Sequence, residues 1–174
     1  MKIFLTGFMG SGKSFIGKKL ADSLQFDFVD IDVAIELSAG SSIAEIFAQQ
    51  GEATFRKLER DELRKTENLH NAVIATGGGA PCFHDNMNWM NDHGLTLFLS
   101  VPVVVLVQRL KTETKQRPLL NGRSDNDLFD YIDKKLNERM GFYNQAHFVC
   151  HANDTPDNLV ASIDKYFSRF LKNH

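Results

Sequence analysis

Gly7-Phe8-Met9-Gly10-Ser11-Gly12-Lys13-Ser14 is the stretch that decides how this chain reads. A short apolar run, Ile3-Phe4-Leu5, precedes it and has the character of a buried strand. Ile16, Leu20 and Leu24 follow at helical spacing. Strand, glycine-rich turn and helix, in that order, are the context in which G-x-x-x-x-G-K-[ST] binds phosphate. Glycines let the backbone curl until successive N–H groups point inward at a helix N-terminus, forming an anion-sized nest. Gly10, Ser11, Gly12, Lys13, Ser14 and Phe15 are the expected nucleotide contacts. Lys13 is expected to reach the β- and γ-phosphates, and the Ser14 hydroxyl to ligate Mg²⁺. The expectation is a nucleoside triphosphate site, ATP for a kinase. The loop alone leaves open a module that binds nucleotide without turning it over.

Working outward, strand-like runs fall at Lys2–Thr6, Phe28–Asp30, Ala72–Thr76, Thr96–Ser100 and His147–Cys150, with helical stretches between them. Leu159, Ile163, Tyr166 and Phe170 give the last stretch its apolar face. Crossovers of a dozen or more residues mean a parallel sheet with helices on both faces. The expected fold is therefore α/β: a three-layer α/β/α P-loop NTPase fold around a central five-stranded parallel sheet. Binding sites in such folds sit at the carboxyl ends of the strands. One segment, 111–127, is polar, carries Pro118 and Gly122 and lacks periodicity. It is expected to be a mobile lid, since phosphoryl transfer to an acceptor other than water requires water to be excluded.

Composition narrows the classes. At 174 residues the chain is expected to be a single domain over 1–174, with 43% hydrophobic and 24% charged residues, ordinary for a globular protein. A net charge of −2 and no basic run argue against nucleic acid. Its 14 Phe residues are scattered through apolar-periodic segments, which suggests core packing and not base stacking. The N-terminal apolar run is too short for a signal peptide, and the longest apolar stretch, Val101 to Leu106, is broken by Pro102, so no membrane span is expected. Cys82 and Cys150 fit no metal or redox spacing and read as free thiols in a reducing compartment. A cytoplasmic monomer is the expectation.

A second set of residues lies at the strand ends. Asp30 and Asp32 leave the second strand two residues apart, on one side if the strand continues. One carboxylate would assist Mg²⁺ and the other face an acceptor hydroxyl; the alternative is that Asp32 caps the helix beginning near Val33. Gly51-Glu52-Ala53-Thr54-Phe55-Arg56-Lys57-Leu58-Glu59 opens a helix on which Arg56 and Glu59 share a face. The pair is either a solvated ion pair or a fixed guanidinium fork for a carboxylate-bearing substrate, held by Glu59. Thr76-Gly77-Gly78-Gly79 follows the third strand, where such loops often find an Asp. Its glycines bring bare backbone close to a ligand, and Thr76 is positioned to hold a metal-bound water. Arg117 sits in the lid segment, suited to charge that develops only on closure. Arg139, followed by Tyr143 and Ala146, reads by itself as a surface residue.

Taken together these motifs resemble the shikimate kinase family over nearly the whole chain. The resemblance rests on the phosphate loop, Asp30 and Asp32, the 51–59 stretch, the 76–79 turn, Arg117-Pro118-Leu119-Leu120, and the R-x-x-x-Y-x-x-A spacing from Arg139, in the family's order. It implies transfer of the ATP γ-phosphoryl group to the 3-hydroxyl of shikimate, a step of chorismate and aromatic amino-acid biosynthesis. It further implies that Asp32, Arg56, Gly77, Gly78, Gly79 and Arg139 bind shikimate, within an acceptor region of about 32–62 plus these later residues. The two arginines would take the carboxylate and Asp32 the ring hydroxyls. Asp30 would join Ser14 at Mg²⁺ through water, Lys13, Asp32 and Arg117 would be catalytic, and Arg109 and Pro156 would enclose adenine. A gluconate kinase is the nearest rival, since gluconate is also a hydroxylated carboxylate; a non-catalytic nucleotide-binding module is the rival from another class.

Overall fold

The first strand, β1 (Lys2–Thr6), is buried on both faces, with Ile3 and Leu5 packing to one side and Phe4 to the other. Alternation of side chains along a strand makes this the mark of a sheet covered twice. The structure, a computed structural model, describes residues 1–113 and 125–151, together with Ala161. Four further strands complete the sheet: β2 (Asp27–Asp30), β3 (Ala72–Ala75), β4 (Leu95–Ser100) and β5 (Phe148–His151). All pairings are parallel, in the order β2-β3-β1-β4-β5. The five expected strands are therefore present, each within a residue of its expected bounds, and the fold is the expected α/β one.

The helices are α1 (Lys13–Leu24), α2 (Ile31–Ala39), α3 (Ile43–Lys65), α4 (Asn86–His93), α5 (Val103–Glu113) and α6 (Asp125–Tyr143). On one side of the sheet, Ile16, Leu20 and Ala21 of α1 close over Ile3, Leu5, Val73 and Leu97. On the other, Ile31, Ile35, Ile46, Phe55, Leu63, Met87 and Met90 close over Phe4 and Ile74. Each large apolar side chain sealed in this way contributes about 1.5–3 kcal/mol relative to exposure. A third cluster gathers Leu106 and Leu110 of α5 and Leu128 and Ile132 of α6 around Phe8, anchoring the phosphate loop from behind.

Two features matter for the site. α3 starts with a capping box, the Ser42 side chain accepting from Glu45 N–H while Glu45 accepts from Ser42 N–H, and it breaks at Gly51, whose φ of 80° is left-handed. The helix resumes at Glu52, so the 51–59 stretch does open a new helical run. Of the 111–127 stretch expected as a lid, residues 111–113 belong to α5 and residues 125–127 to α6. The rest of it, with Arg117, lies outside the described residues, as do Pro156 and the expected apolar face of the last helix. Among the described residues no helix is long and apolar enough to cross a membrane.

Candidate active site

The carboxyl ends of β1, β2 and β3 open into one cleft of about 800 Å³. At one end lies the phosphate loop. Gly10 and Gly12 take left-handed φ of 77° and 94°, and the turn closes with Ser11 N–H donating to Phe8 O at 3.2 Å. Lys13 lies along its own loop, its Nζ donating to Gly7 O at 2.8 Å and Phe8 O at 2.9 Å. Both bonds end on the loop that would cradle phosphate, so the ammonium is already held where negative charge is expected. Arg109, from α5, donates through Nη1 to Gly10 O at 3.1 Å and Ser11 O at 3.2 Å. It thereby occupies two carbonyls of the loop and ties α5 to it.

Ser14 donates its hydroxyl to Asp30 Oδ2 at 2.5 Å, while Asp30 Oδ1 accepts the Asp32 N–H at 3.1 Å. Asp30 is thus both the N-cap of α2 and the partner of Ser14. The alternative that Asp32 caps this helix is corrected: Asp32 stands in the first turn, two residues past the cap, and lines the cleft. Capping uses the residue whose backbone is still extended, and at φ −107° and ψ 116° that residue is Asp30.

The other end of the cleft is assembled around Arg56. Its Nη1 donates to Glu59 at 2.7 Å, and Nε and Nη2 donate to Glu52 Oε1 at 3.2 and 3.0 Å. The Arg56 side chain is 10% exposed and that of Glu59 is fully buried, so the solvated-ion-pair alternative fails. Burial raises the Glu59 carboxyl above its usual range, against the lowering pull of the Arg56 guanidinium. One of its oxygens, Oε1, is buried without a hydrogen-bond partner.

This arrangement explains two of the glycines after β3. A Cβ at Gly77 would lie 2.2 Å from Glu59 Oε1 and 3.0 Å from Asp32 Oδ1, and one at Gly79 would lie 2.7 and 2.9 Å from the Arg56 Nη atoms. Only hydrogen fits where the turn crosses the buried pair. Thr76, expected to hold a metal-bound water, donates its hydroxyl to Leu5 O at 3.0 Å and ties β3 to β1. Its proton is committed to the sheet, leaving only lone pairs for any role at a metal.

Arg139 lines the same cleft from α6, its guanidinium carbon 5.3 Å from the Phe8 ring. One turn on, Tyr143 is fully buried, stacks on Phe98 at 4.8 Å and donates its hydroxyl to Gly78 O at 2.5 Å. Burial pushes the Tyr143 phenol up to about 12, with Arg139 pulling the other way. The expected set Gly10 to Phe15, Asp30, Asp32, Arg56, Gly77 to Gly79, Arg109 and Arg139 thus lines a single cleft. Sequence reasoning missed Glu52, Phe83, Tyr131 and Lys135. Tyr131, Lys135 and Arg139 recur every fourth residue along the cleft-facing side of α6, a spacing that could have disclosed them. Glu52 stands one turn before Arg56 and was equally readable. Phe83, whose ring lies 4.3 Å from the Arg56 guanidinium carbon, has no local signal. Burial raises the Cys82 thiol, which stays protonated at neutral pH.

Comparison with known proteins agrees with this geometry. The family described as shikimate kinase matches residues 9–171. A shikimate kinase of Bacteroides thetaiotaomicron is 45% identical over 157 residues, 90% of each chain. The crystal structure of a shikimate kinase from that organism superposes with a TM-score of 0.91 at 41% identity, covering 97% of this chain and 98% of the other. A shikimate kinase from Acinetobacter baumannii, solved in complex with shikimate, gives a TM-score of 0.84 at 31% identity, covering 99% and 93%. On these matches, and on a cleft that joins a phosphate loop to a buried arginine fork, the chain belongs to the shikimate kinase family.

Proposed function

We propose that this cleft transfers the γ-phosphoryl group of ATP to the 3-hydroxyl of shikimate, giving shikimate 3-phosphate and ADP. The observation that carries the reading is Arg56, fixed by a fully buried Glu59 in the same cleft as Lys13 and Arg139. A guanidinium held that firmly suits a planar carboxylate, which it grips with two parallel N–H bonds. Arg56 and Arg139 take the shikimate carboxylate, and the Gly77 to Gly79 turn passes bare backbone beside it. Asp32 orients the ring hydroxyls and receives the proton of the attacking oxygen late in the transfer. A strong base is not required, because phosphoryl transfer is mostly positioning and charge neutralisation.

Lys13 stabilises charge on the transferring phosphoryl group and Arg117 joins it on lid closure. Arg109 and Pro156 are the residues assigned to adenine by the family resemblance. The oxygens of Ser14 and Asp30, brought together at 2.5 Å, are hard donors of the kind Mg²⁺ prefers, and one or two protein oxygens plus phosphates suffice to hold it. Ser14 and, through water, Asp30 would hold Mg²⁺ there, and the ion would supply positive charge against the phosphates. A single kinase domain working as a monomer is part of this proposal. Dependence on ATP supports a cytoplasmic setting.

Coupled ADP release with Mg-ATP tests the reaction, comparing shikimate, gluconate and no acceptor. Release with shikimate alone is expected; release with gluconate alone would keep the kinase and overturn the acceptor. In the same assay Asp32→Asn is expected to lower kcat by about 10²–10⁴-fold, the usual span for a proton-handling group, with ATP affinity retained. Near-normal turnover would remove Asp32 from the mechanism.

A further inference from the structure

Arg56 is enclosed on nearly every side by groups that cannot leave. The rings of Phe83 and Phe55 stand 4.3 and 5.0 Å from its guanidinium carbon. Nη1 is taken by Glu59, whose side chain has no exposure, and Gly79 passes so close that a Cβ would sit 2.7 Å from Nη2. The remaining edge, Nε with Nη2, is one a carboxylate can grip with two parallel bonds. That edge is occupied by Glu52, through a single oxygen shared between both nitrogens, at 3.2 and 3.0 Å. The Glu52 side chain is 57% exposed.

These facts separate the two glutamates. Charge-assisted bonds of good geometry run at about 2.7–2.9 Å, which the Glu59 contact meets and the Glu52 contact does not. An i,i+4 ion pair with one partner largely in water is more easily exchanged than a pair buried on both sides, whose breaking leaves an uncompensated buried charge. Glu52 follows directly on the break at Gly51, so a released carboxylate falls back into water at the start of a helical run, where negative charge is favoured. We propose that Glu52 is a displaceable internal carboxylate: it pairs the Nε–Nη2 edge of Arg56 in the resting enzyme and is exchanged for the carboxylate of the acceptor on binding. The exchange keeps a nearly buried guanidinium paired when no acceptor is present. It also sets specificity, because only an acceptor bearing its own carboxylate replaces what Glu52 supplied. This inference rests on the assignment of Arg56 to the acceptor carboxylate.

The test is a double-mutant cycle on the full chain, with shikimate KM from coupled ADP release and shikimate Kd from titration calorimetry. Glu52→Gln and Glu52→Ala are expected to lower both constants about two- to fivefold, the range of an exposed ion pair, while the KM for ATP holds. In an Arg56→Ala background the same substitutions are expected to move neither constant. A rise in shikimate KM on Glu52→Ala would make Glu52 a support for Arg56 and overturn the exchange. An equal fall in the Arg56→Ala background would reduce the effect to general charge and overturn it as well. Failure of the unsubstituted enzyme to bind or phosphorylate shikimate would remove the underlying reading, an outcome distinguishable from the other two.

Discussion

At the end of the cleft proposed for the nucleotide, consecutive residues from Gly7 to Ser14 form one loop, built from left-handed glycines and a lysine lying on its own backbone carbonyls. At the end proposed for the acceptor, side chains from α2, α3 and α6 line the cleft, packed against a glycine turn and carrying charge into the interior. The first arrangement asks for glycine at a few positions and tolerates much elsewhere. The second depends on mutual fit, since a carboxylate without exposure is tolerable only while its guanidinium stays in contact. On the proposed reading, general phosphate affinity is encoded locally and acceptor identity is encoded in packing.

Substitutions at the two ends should therefore fail differently. Lys13→Met removes the cation nearest the phosphates and is expected to lower kcat by about 10³-fold, the upper cost of losing one transition-state donor, while shikimate Kd by calorimetry holds. A matching loss of shikimate affinity would break the division between the ends. Next in size, Gly79→Ala forces a methyl to within 2.9 Å of both Arg56 Nη atoms. Losing the aim of a charged hydrogen-bond donor costs about 1.5–3 kcal/mol, so shikimate KM is expected to rise about 10- to 100-fold with little change for ATP. Equal shifts in both constants would mean that the turn supports the whole cleft.

Glu59 gives the comparison a pH dependence. A carboxyl raised by burial binds more protons folded than unfolded between its ordinary and its raised value. Its contribution to stability is complete below the ordinary glutamate range and is lost as pH rises through the raised value. Urea unfolding of the wild type and Glu59→Gln across that range should show the wild type's relative stability shrinking with rising pH; growth would give the opposite sign to the shift. The smallest effect is expected from Tyr143→Phe, which deletes the bond to Gly78 O and keeps the stack on Phe98. It should cost about 1 kcal/mol in denaturant unfolding. A loss several times larger would show that the hydroxyl supports more than the turn.

The same contrast governs what was legible in the sequence. β1, the phosphate loop and α1 were readable because each rests on local rules: strand burial, glycine φ and helical spacing. The sheet followed from alternation, since parallel strands need long crossovers. Arg56 and Glu59 were visible as an i,i+3 pair, but their burial depends on Gly77 and Gly79 arriving from β3, which no local pattern announces. The cap of α2 moved from Asp32 to Asp30 because capping is decided by backbone angles, and both positions hold the same residue type. Glu52 drew no reading of its own within the 51–59 stretch, although it stands one turn before Arg56, because spacing does not say which edge of the guanidinium it meets.

On the proposed reading, Arg56 and Arg139 select the acceptor by its carboxylate. The direct measurement is the ratio of kcat/KM for shikimate to that for its neutral methyl ester, under saturating Mg-ATP. A site built to pair a group rejects the analogue lacking it by large factors, so a ratio of about 10³ or more is expected. A ratio below about tenfold would mean that the carboxylate is not what Arg56 and Arg139 recognise, and would contradict the account.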